Sequence, residues 1–312
     1  MENLPEKVGR FGSDKIFSVL LDRYFREEVA GKSPLTIKAK MCDVKKFLMF
    51  YQAMNGHLRG GEWMVRDTRL FLDELQKQGY SPATLNRIFA TLKSFGSWLQ
   101  EVEVLRVHPC KGIQELHLDP SPPKAIRDLE FHRLNKAADV LVNGSDAKYS
   151  QDYRNKIMLA TLDASGLRIS ELLNLKLEQL QGKKLTGVHC KGGHVRDVLI
   201  RQDVADIIRG YVDRHRVPGS SFLFTNRYGE SISRNGIAKA FDKIASYANA
   251  SLADDQRINL TPHLLRHRHA FKCREAKDPV FAAKRLGHRS LTYIERYSKL
   301  NDIEEGDVIE RI

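Results

Sequence analysis

The 312-residue chain has no uninterrupted apolar run approaching the roughly 18 residues that a membrane-spanning helix needs, so a helical membrane protein is not expected. Cysteine is scarce. Cys42, Cys110, Cys190 and Cys273 stand apart, without the paired spacing of a disulfide framework or a zinc site, so reduced or buried thiols are expected and no metal. The opening residues, MENLPEKVGRFGSDK, lack the apolar core of a secretory signal, and a cytoplasmic protein is expected. Repeats and low-complexity segments are missing too. Acidic residues are in deficit: 39 Asp plus Glu face 51 Lys plus Arg, a formal net charge of +12. Such a surplus favours a polyanionic partner, a description that nucleic acid, acidic membranes and ribosomes all meet.

What is present is a soluble composition, 42% hydrophobic, and length enough for two domains with separate cores. The first spans residues 13–110 and reads as four helices. Ile16, Val19, Leu20, Tyr24 and Phe25 recur at helical spacing; Ile37, Met41, Val44, Phe47, Leu48 and Tyr51 line a second helix, and Phe71, Leu72 and Leu75 a third. The fourth carries Leu85, Ile88, Leu92, Phe95 and Leu99 on one stripe. Ser33-Pro34 and Ser81-Pro82 supply a cap followed by proline at the first helical position. On the other sides of the fourth helix lie Thr84, Arg87, Thr91 and Lys93, suited to phosphate or sugar contacts, or to plain solvation.

Residues 111–124, with Pro120, Pro122 and Pro123, read as a linker. A second domain follows over 125–300, with helices over 126–142, from about Tyr153, over 170–177, 202–215 and 233–248. Between them KLTGVH (184–189) and VRDVLI (195–200) are strand-like, separated by a glycine-containing hairpin turn, with a third short strand near or before Leu185. The fold class is therefore mainly α with a small antiparallel sheet. The tail, 301–312, reverses charge with five acids against one arginine, and suggests either disorder or an element packing on a neighbouring protomer.

The densest chemistry lies in residues 261–300, where ten Lys or Arg face three acids. A basic surface helix pair is the plain reading. Against it, His263 and Arg266 share one helical face, and His288 and Tyr297 follow. These are the parts for attack on a phosphodiester: a hydroxyl, an acid or base, and a cation for the phosphate oxygens. His263-Leu264-Leu265-Arg266-His267, then Leu286-Gly287-His288, then Tyr297 nine residues later resemble the carboxy-terminal signature of the tyrosine recombinase, or phage integrase, family. Ala164-Ser165-Gly166-Leu167-Arg168-Ile169-Ser170-Glu171 resembles that family's first arginine motif. Arg268 and Lys272 depart from it, placing charge where relatives often carry small, hydroxylated or apolar side chains.

The resemblance implies a two-domain clamp around DNA, with residues 13–110 as the core-binding domain and 125–300 as the catalytic domain. It makes Tyr297 the nucleophile that attacks the scissile phosphorus to give a 3′-phosphotyrosyl link, with Tyr293 too close to His288 for that role. Arg168 and Arg266 become a phosphate clamp, Lys191 on the hairpin the acid that protonates the departing 5′-oxygen, and His263 the relay for the tyrosine proton. Lys183 and Lys184 compete with Lys191. His288 adds an oxygen contact, while Glu171 and His267 support the arginines; an ion pair with Glu171 is the structural alternative for Arg168. Neither ATP nor a divalent metal nor another cofactor is implied. The partners implied are double-stranded DNA with inverted half-sites and further protomers, two on one site and four in a synapse, or a closely related recombinase. A non-catalytic DNA-binding accessory protein on the same fold and a relaxing enzyme of topoisomerase type stay open at this point.

Overall fold

A computed structural model gives the structure of the protein and describes residues 16–118, 125–144, 150–190 and 193–287. Lys191, His288, Tyr293, Tyr297 and the acidic tail lie outside the described residues, as do residues 13–15 and 119–124. The chain divides into two compact units, residues 1–120 and 121–312.

The first unit is built from α1 (Phe17–Tyr24), α2 (Pro34–Asn55), α3 (Val65–Lys77) and α4 (Pro82–Glu101). The serine-proline pairs start α2 and α4 as expected: Ser33 Oγ accepts from the Thr36 amide at 3.3 Å and Ser81 Oγ from the Thr84 amide at 3.4 Å. All five residues of the α4 stripe are buried, within an aromatic core in which Phe47 and Trp63 meet at 4.6 Å and Tyr24 and Phe95 at 5.0 Å between ring centroids. The first helix is rotated from the expected register. Ile16 and Val19 are exposed, and Phe17, Leu20, Leu21 and Tyr24 fill the core, because the larger Phe17 ring packs edge-on against Tyr51 and Trp63. A single π-helical turn, Phe25–Val29, then brings both its ends inward. Part of the stretch read as a linker is held by α4: Asn86 makes two hydrogen bonds of 2.8 Å to the backbone of Leu116, and Lys93 pairs with Glu115 at 3.2 Å.

In the second unit α6 (Gln151–Ser165) is the central element, packed against α5 (Asp128–Asn143), α8 (Gln202–Arg214), α9 (Arg234–Ala248) and α10 (Pro262–Ala276). After α6 comes the short α7 (Ile169–Leu173), which stops before Leu177. The chain beyond it is claimed by the extended SFLFTN segment, through Leu177 N–H to the Ser221 carbonyl at 2.9 Å and Leu223 N–H to the Leu175 carbonyl at 2.8 Å. The strands β1 (Leu180–Gln181), β2 (Lys184–His189) and β3 (Val195–Leu199) form one antiparallel sheet in sequence order. Its register pairs Leu185 with Val198 and His189 with Val195, with an irregularity between Leu185 and Val188 where Gly187 takes φ +61°. The hairpin turn is closed by Cys190 N–H to the His194 carbonyl at 2.6 Å. The last described helix, α11 (Pro279–Leu286), ends on Gly287 at φ +70°. No helix among the described residues is long and apolar enough to cross a membrane.

Candidate active site

The site is organised around the junction between α6 and α7. Helix α6 ends at Gly166 in the left-handed region, φ +62°, which a side chain rarely adopts. A Cβ there would also lie 2.5 Å from the His269 ring, so glycine lets α10 approach the junction closely. Two residues on, Arg168 becomes the N-cap of α7. Its backbone N–H donates to Glu171 Oε2 at 3.0 Å and its Nη1 to Glu171 Oε1 at 2.8 Å, so one carboxylate fixes both the helix start and the guanidinium. Glu171 is buried, whereas the Arg168 side chain is about a third exposed. Burial alone would raise the Glu171 carboxyl, but the Arg168 hydrogen bonds and the charges of Arg196 and Arg168 outweigh it and hold the group below its ordinary value. The ion pair and the proposed phosphate role of Arg168 are thus compatible: the acid orients the cation.

Helix α10 is not the basic surface helix of the plain reading. Residues 265–270 are buried on every side, including Arg266, His267, Arg268 and His269. Buried charge demands partners, and they are present. Arg266 Nη1 donates to the Gly166 carbonyl at 2.5 Å and Nη2 to the Leu286 carbonyl at 2.7 Å, joining α10 to the α6–α7 junction and to the end of α11. Arg268 Nε donates to Asp163 at 2.9 Å and Nη1 to the Ile126 carbonyl at 2.9 Å, a further bond reaches Asp128, and the Phe131 ring lies under its guanidinium at 4.5 Å. The departure of Arg268 from the family pattern is therefore a structural tie between α10, α6 and the start of α5. His263 is exposed at the first turn of α10 and meets the edge of the buried His267 ring at 4.3 Å between centroids.

His269 is held neutral. Burial pushes it down to about 4, aided by the charges of Arg285, Arg266 and Arg196, while its Nδ1 hydrogen bond to the Asp163 carbonyl, 2.7 Å, opposes the shift. With the proton on Nδ1, Nε2 accepts from Arg285 Nε at 3.4 Å. The unfolded chain takes up this proton near pH 6.5 and the folded chain only near 4, so the contribution is full above pH 6.5 and is lost as pH falls through that interval. Thermal or denaturant unfolding is expected to show stability falling by up to about 1.4 kcal/mol per pH unit from this group, and His269→Gln to flatten that slope between pH 6.5 and 4.5, above the window of the carboxylates.

Two arginines that sequence reasoning passed over complete the cluster. Arg196 on β3 donates from Nη2 to Glu171 Oε2 at 3.0 Å, from Nε to Cys190 Sγ at 3.2 Å, and from Nη1 to the Arg285 carbonyl. Arg285 on α11 reaches the carbonyls of Ala164, at 3.3 Å, and Leu199. Alternation along β3 was the available signal for Arg196, since Val198 and Ile200 point inward and Arg196 shares their face.

The structure thus brings Arg168, Glu171, Arg266 and His267 into one unit with His263. Lys191, His288 and Tyr297 fall outside the described residues, though their chain neighbours Cys190 and Gly287 both flank Arg196, with a Cβ at Gly287 coming within 3.4 Å of its side chain. The four α4 residues belong to the other unit and differ among themselves. Thr91 is buried with its hydroxyl on Asp43 at 3.1 Å, so as placed that hydroxyl is committed to the core. Arg87 pairs with the same carboxylate while half exposed; Lys93 pairs with Glu115, and Thr84 Oγ1 lies 3.0 Å from Ser81 Oγ.

Residues 126–304 match the phage integrase family model, and residues 21–102 match the phage integrase N-terminal SAM-like domain. Among curated relatives, tyrosine recombinase XerC of Lacticaseibacillus casei (strain BL23) is 26% identical over 275 residues, 85% of this chain and 88% of the relative. Tyrosine recombinase XerD of Halalkalibacterium halodurans is 26% identical over 294 residues, 91% of this chain and 93% of the relative. Among solved structures, a transposon integrase in complex with transposon right-end DNA superposes with a TM-score of 0.75 at 16% identity, covering 95% of this chain and 99% of that one. A lambda integrase tetramer bound to a Holliday junction gives 0.72 at 15% identity, with 97% and 84% covered. With a family model spanning more than half its length, the chain belongs to the phage integrase family, the tyrosine recombinases.

Proposed function

We propose that this tyrosine recombinase cleaves and rejoins DNA at a specific site by transesterification at the cluster around residues 164–171. The observation that carries the reading is a convergence of guanidinium groups. Arg168, Arg196, Arg266 and Arg285, from four different segments, each bond within residues 164–171, and Glu171 is the one carboxylate among those bonds. Guanidinium groups held in place by fixed hydrogen bonds suit the non-bridging oxygens of a pentacoordinate phosphorus, because they require no reorganisation as negative charge gathers there.

In the proposed step the Tyr297 hydroxyl attacks the scissile phosphorus, the bond from phosphorus to the 5′-oxygen breaks, and the phosphotyrosyl bond conserves its energy. His263 takes or relays the phenolic proton, and Lys191 delivers a proton to the departing 5′-oxygen. Arg168 and Arg266 hold the phosphate oxygens, and His288 adds a contact. Reversal by the 5′-hydroxyl of a second duplex exchanges strands through a Holliday junction, in dimer resolution or in integration and excision of a mobile element. Residues 13–110 serve as the core-binding domain, joined by 111–124 to the catalytic domain, and the partners are inverted half-sites, two protomers per site and four per synapse, in the cytoplasm.

The test is a nicked duplex carrying a site recovered by binding selection from random sequence. Cleavage releases a short fragment, removing the nucleophile for rejoining, so the native protein is expected to accumulate a covalent adduct in the presence of a chelator. The attachment should map to the peptide holding Tyr297. Specific binding without any adduct would overturn the reading in favour of a non-catalytic DNA-binding protein.

A further inference from the structure

Arg196 makes three side-chain bonds to three separate segments that the proposed site must hold together: Glu171 after the first arginine, Cys190 immediately before Lys191, and the Arg285 carbonyl near the end of α11. Its side chain is largely buried, and that of Glu171 is more so, whereas Arg168, on the other side of the carboxylate, is about a third exposed. The carboxylate is therefore the most buried of the three, held by Arg196 and by the more exposed Arg168. A carboxylate held by two guanidinium groups is fixed by both, so the more exposed Arg168 is set by where the more buried Arg196 holds the acid. Remove Arg196 and the whole charge of the buried Glu171 falls to Arg168, strengthening the pair already made at 2.8 Å, drawing Arg168 inward and spending its charge on the acid.

We propose that Arg196 is a positioning residue of this recombinase: through Glu171 it keeps the guanidinium of Arg168 presented to the scissile phosphate. The inference rests on the assignment of Arg168 to that phosphate. Arg196 touches no substrate in this scheme and acts through the acid. Lysine is a poor replacement. A single ammonium keeps the charge but does not span Glu171, Cys190 and the Arg285 carbonyl with a planar fork.

The experiment compares Arg196→Met, Arg196→Lys and Arg168→Ala in the full chain on two nicked duplexes of the selected site, one with the natural scissile phosphate and one with a methylphosphonate there. The methylphosphonate replaces one anionic oxygen with a methyl group, so a defect in neutralising phosphate charge is relieved on it, while a defect in folding is not. Arg196→Met is expected to slow adduct formation on the natural duplex by about 10–100-fold, and Arg196→Lys by a similar factor. On the methylphosphonate the deficit should shrink to within a few-fold, alongside the relief shown by Arg168→Ala, with DNA affinity near native and the unfolding midpoint lowered, because Glu171 and the Arg285 carbonyl lose a donor. An equal loss on both duplexes, a native rate for Arg196→Met, or full rescue by lysine would each overturn the proposal while leaving the site intact. Absence of any defect or relief in Arg168→Ala would instead remove the assignment on which it stands.

Discussion

Tyr297→Phe is expected to leave specific binding to the selected duplex within about two-fold of native and to abolish the covalent adduct, a fall on the order of 10⁴ or more in cleavage. The size follows from what is removed. An arginine lowers a barrier and its loss leaves the same reaction running slowly, whereas the nucleophile supplies the oxygen that becomes part of the product. A phenyl ring keeps the shape of the segment and has no such atom. Water is a poor substitute, because attack must be in line with the departing 5′-oxygen, and a free water is not held there. A phenol titrates near about 10, so its attack at neutral pH needs a neighbouring acceptor for the proton, and His263 is the side chain proposed for it. Tyr293→Phe is the control, expected to retain the adduct. An adduct persisting in Tyr297→Phe, or lost in Tyr293→Phe, would transfer the nucleophile elsewhere.

Helices that present one face to one core were legible from the sequence. The stripe of α4 is apolar along a single side, and Leu85, Ile88, Leu92, Phe95 and Leu99 are all buried. Helix α1 was harder because Ile16 and Val19 compete with Phe17 and Leu21 for the inward stripe, and periodicity cannot choose between two apolar registers. The partners chose: the aromatic rings of α2 and the loop before α3 accept Phe17. The length of α7 was set in the same way, by an extended segment more than 40 residues away that takes over the backbone at Leu175 and Leu177.

The site divides along a similar line. Arg168 and Glu171 are three residues apart, so their pairing was readable as a local event. Long-range pairings were not. The burial of Arg268 depends on Asp163, 105 residues earlier, and Thr91 is drawn into the core by Asp43, 48 residues away, which separates it from the more exposed Arg87 on the same helix. The plain reading of α10 as a surface element fails because amphipathic reasoning assumes that polar residues face water. Arg266, Arg268 and His269 face carbonyls and carboxylates instead, which gives no apolar stripe to detect.

Arg266→Lys is expected to reduce cleavage by about 10²–10³ and Arg266→Ala by at least as much, the cost typical of removing one preorganised donor to a developing oxyanion. The structure adds a second consequence that separates the two variants. The Arg266 guanidinium bridges the carbonyls of Gly166 and Leu286, which end α6 and α11, so it fixes the distance between the Arg168 junction and the segment leading to His288. Alanine leaves both carbonyls without this donor in a buried place, a loss of about 1–3 kcal/mol in unfolding free energy per orphaned group. Lysine can serve one carbonyl but not both, so Arg266→Lys should recover part of the stability and little of the rate. Denaturant unfolding measures the first quantity, and single-turnover adduct formation at saturating DNA the second. If stability and rate instead recover together in the lysine variant, the guanidinium is acting as a structural strut and the phosphate is held by other groups; if rate alone fails, the planar fork meets the phosphate as proposed.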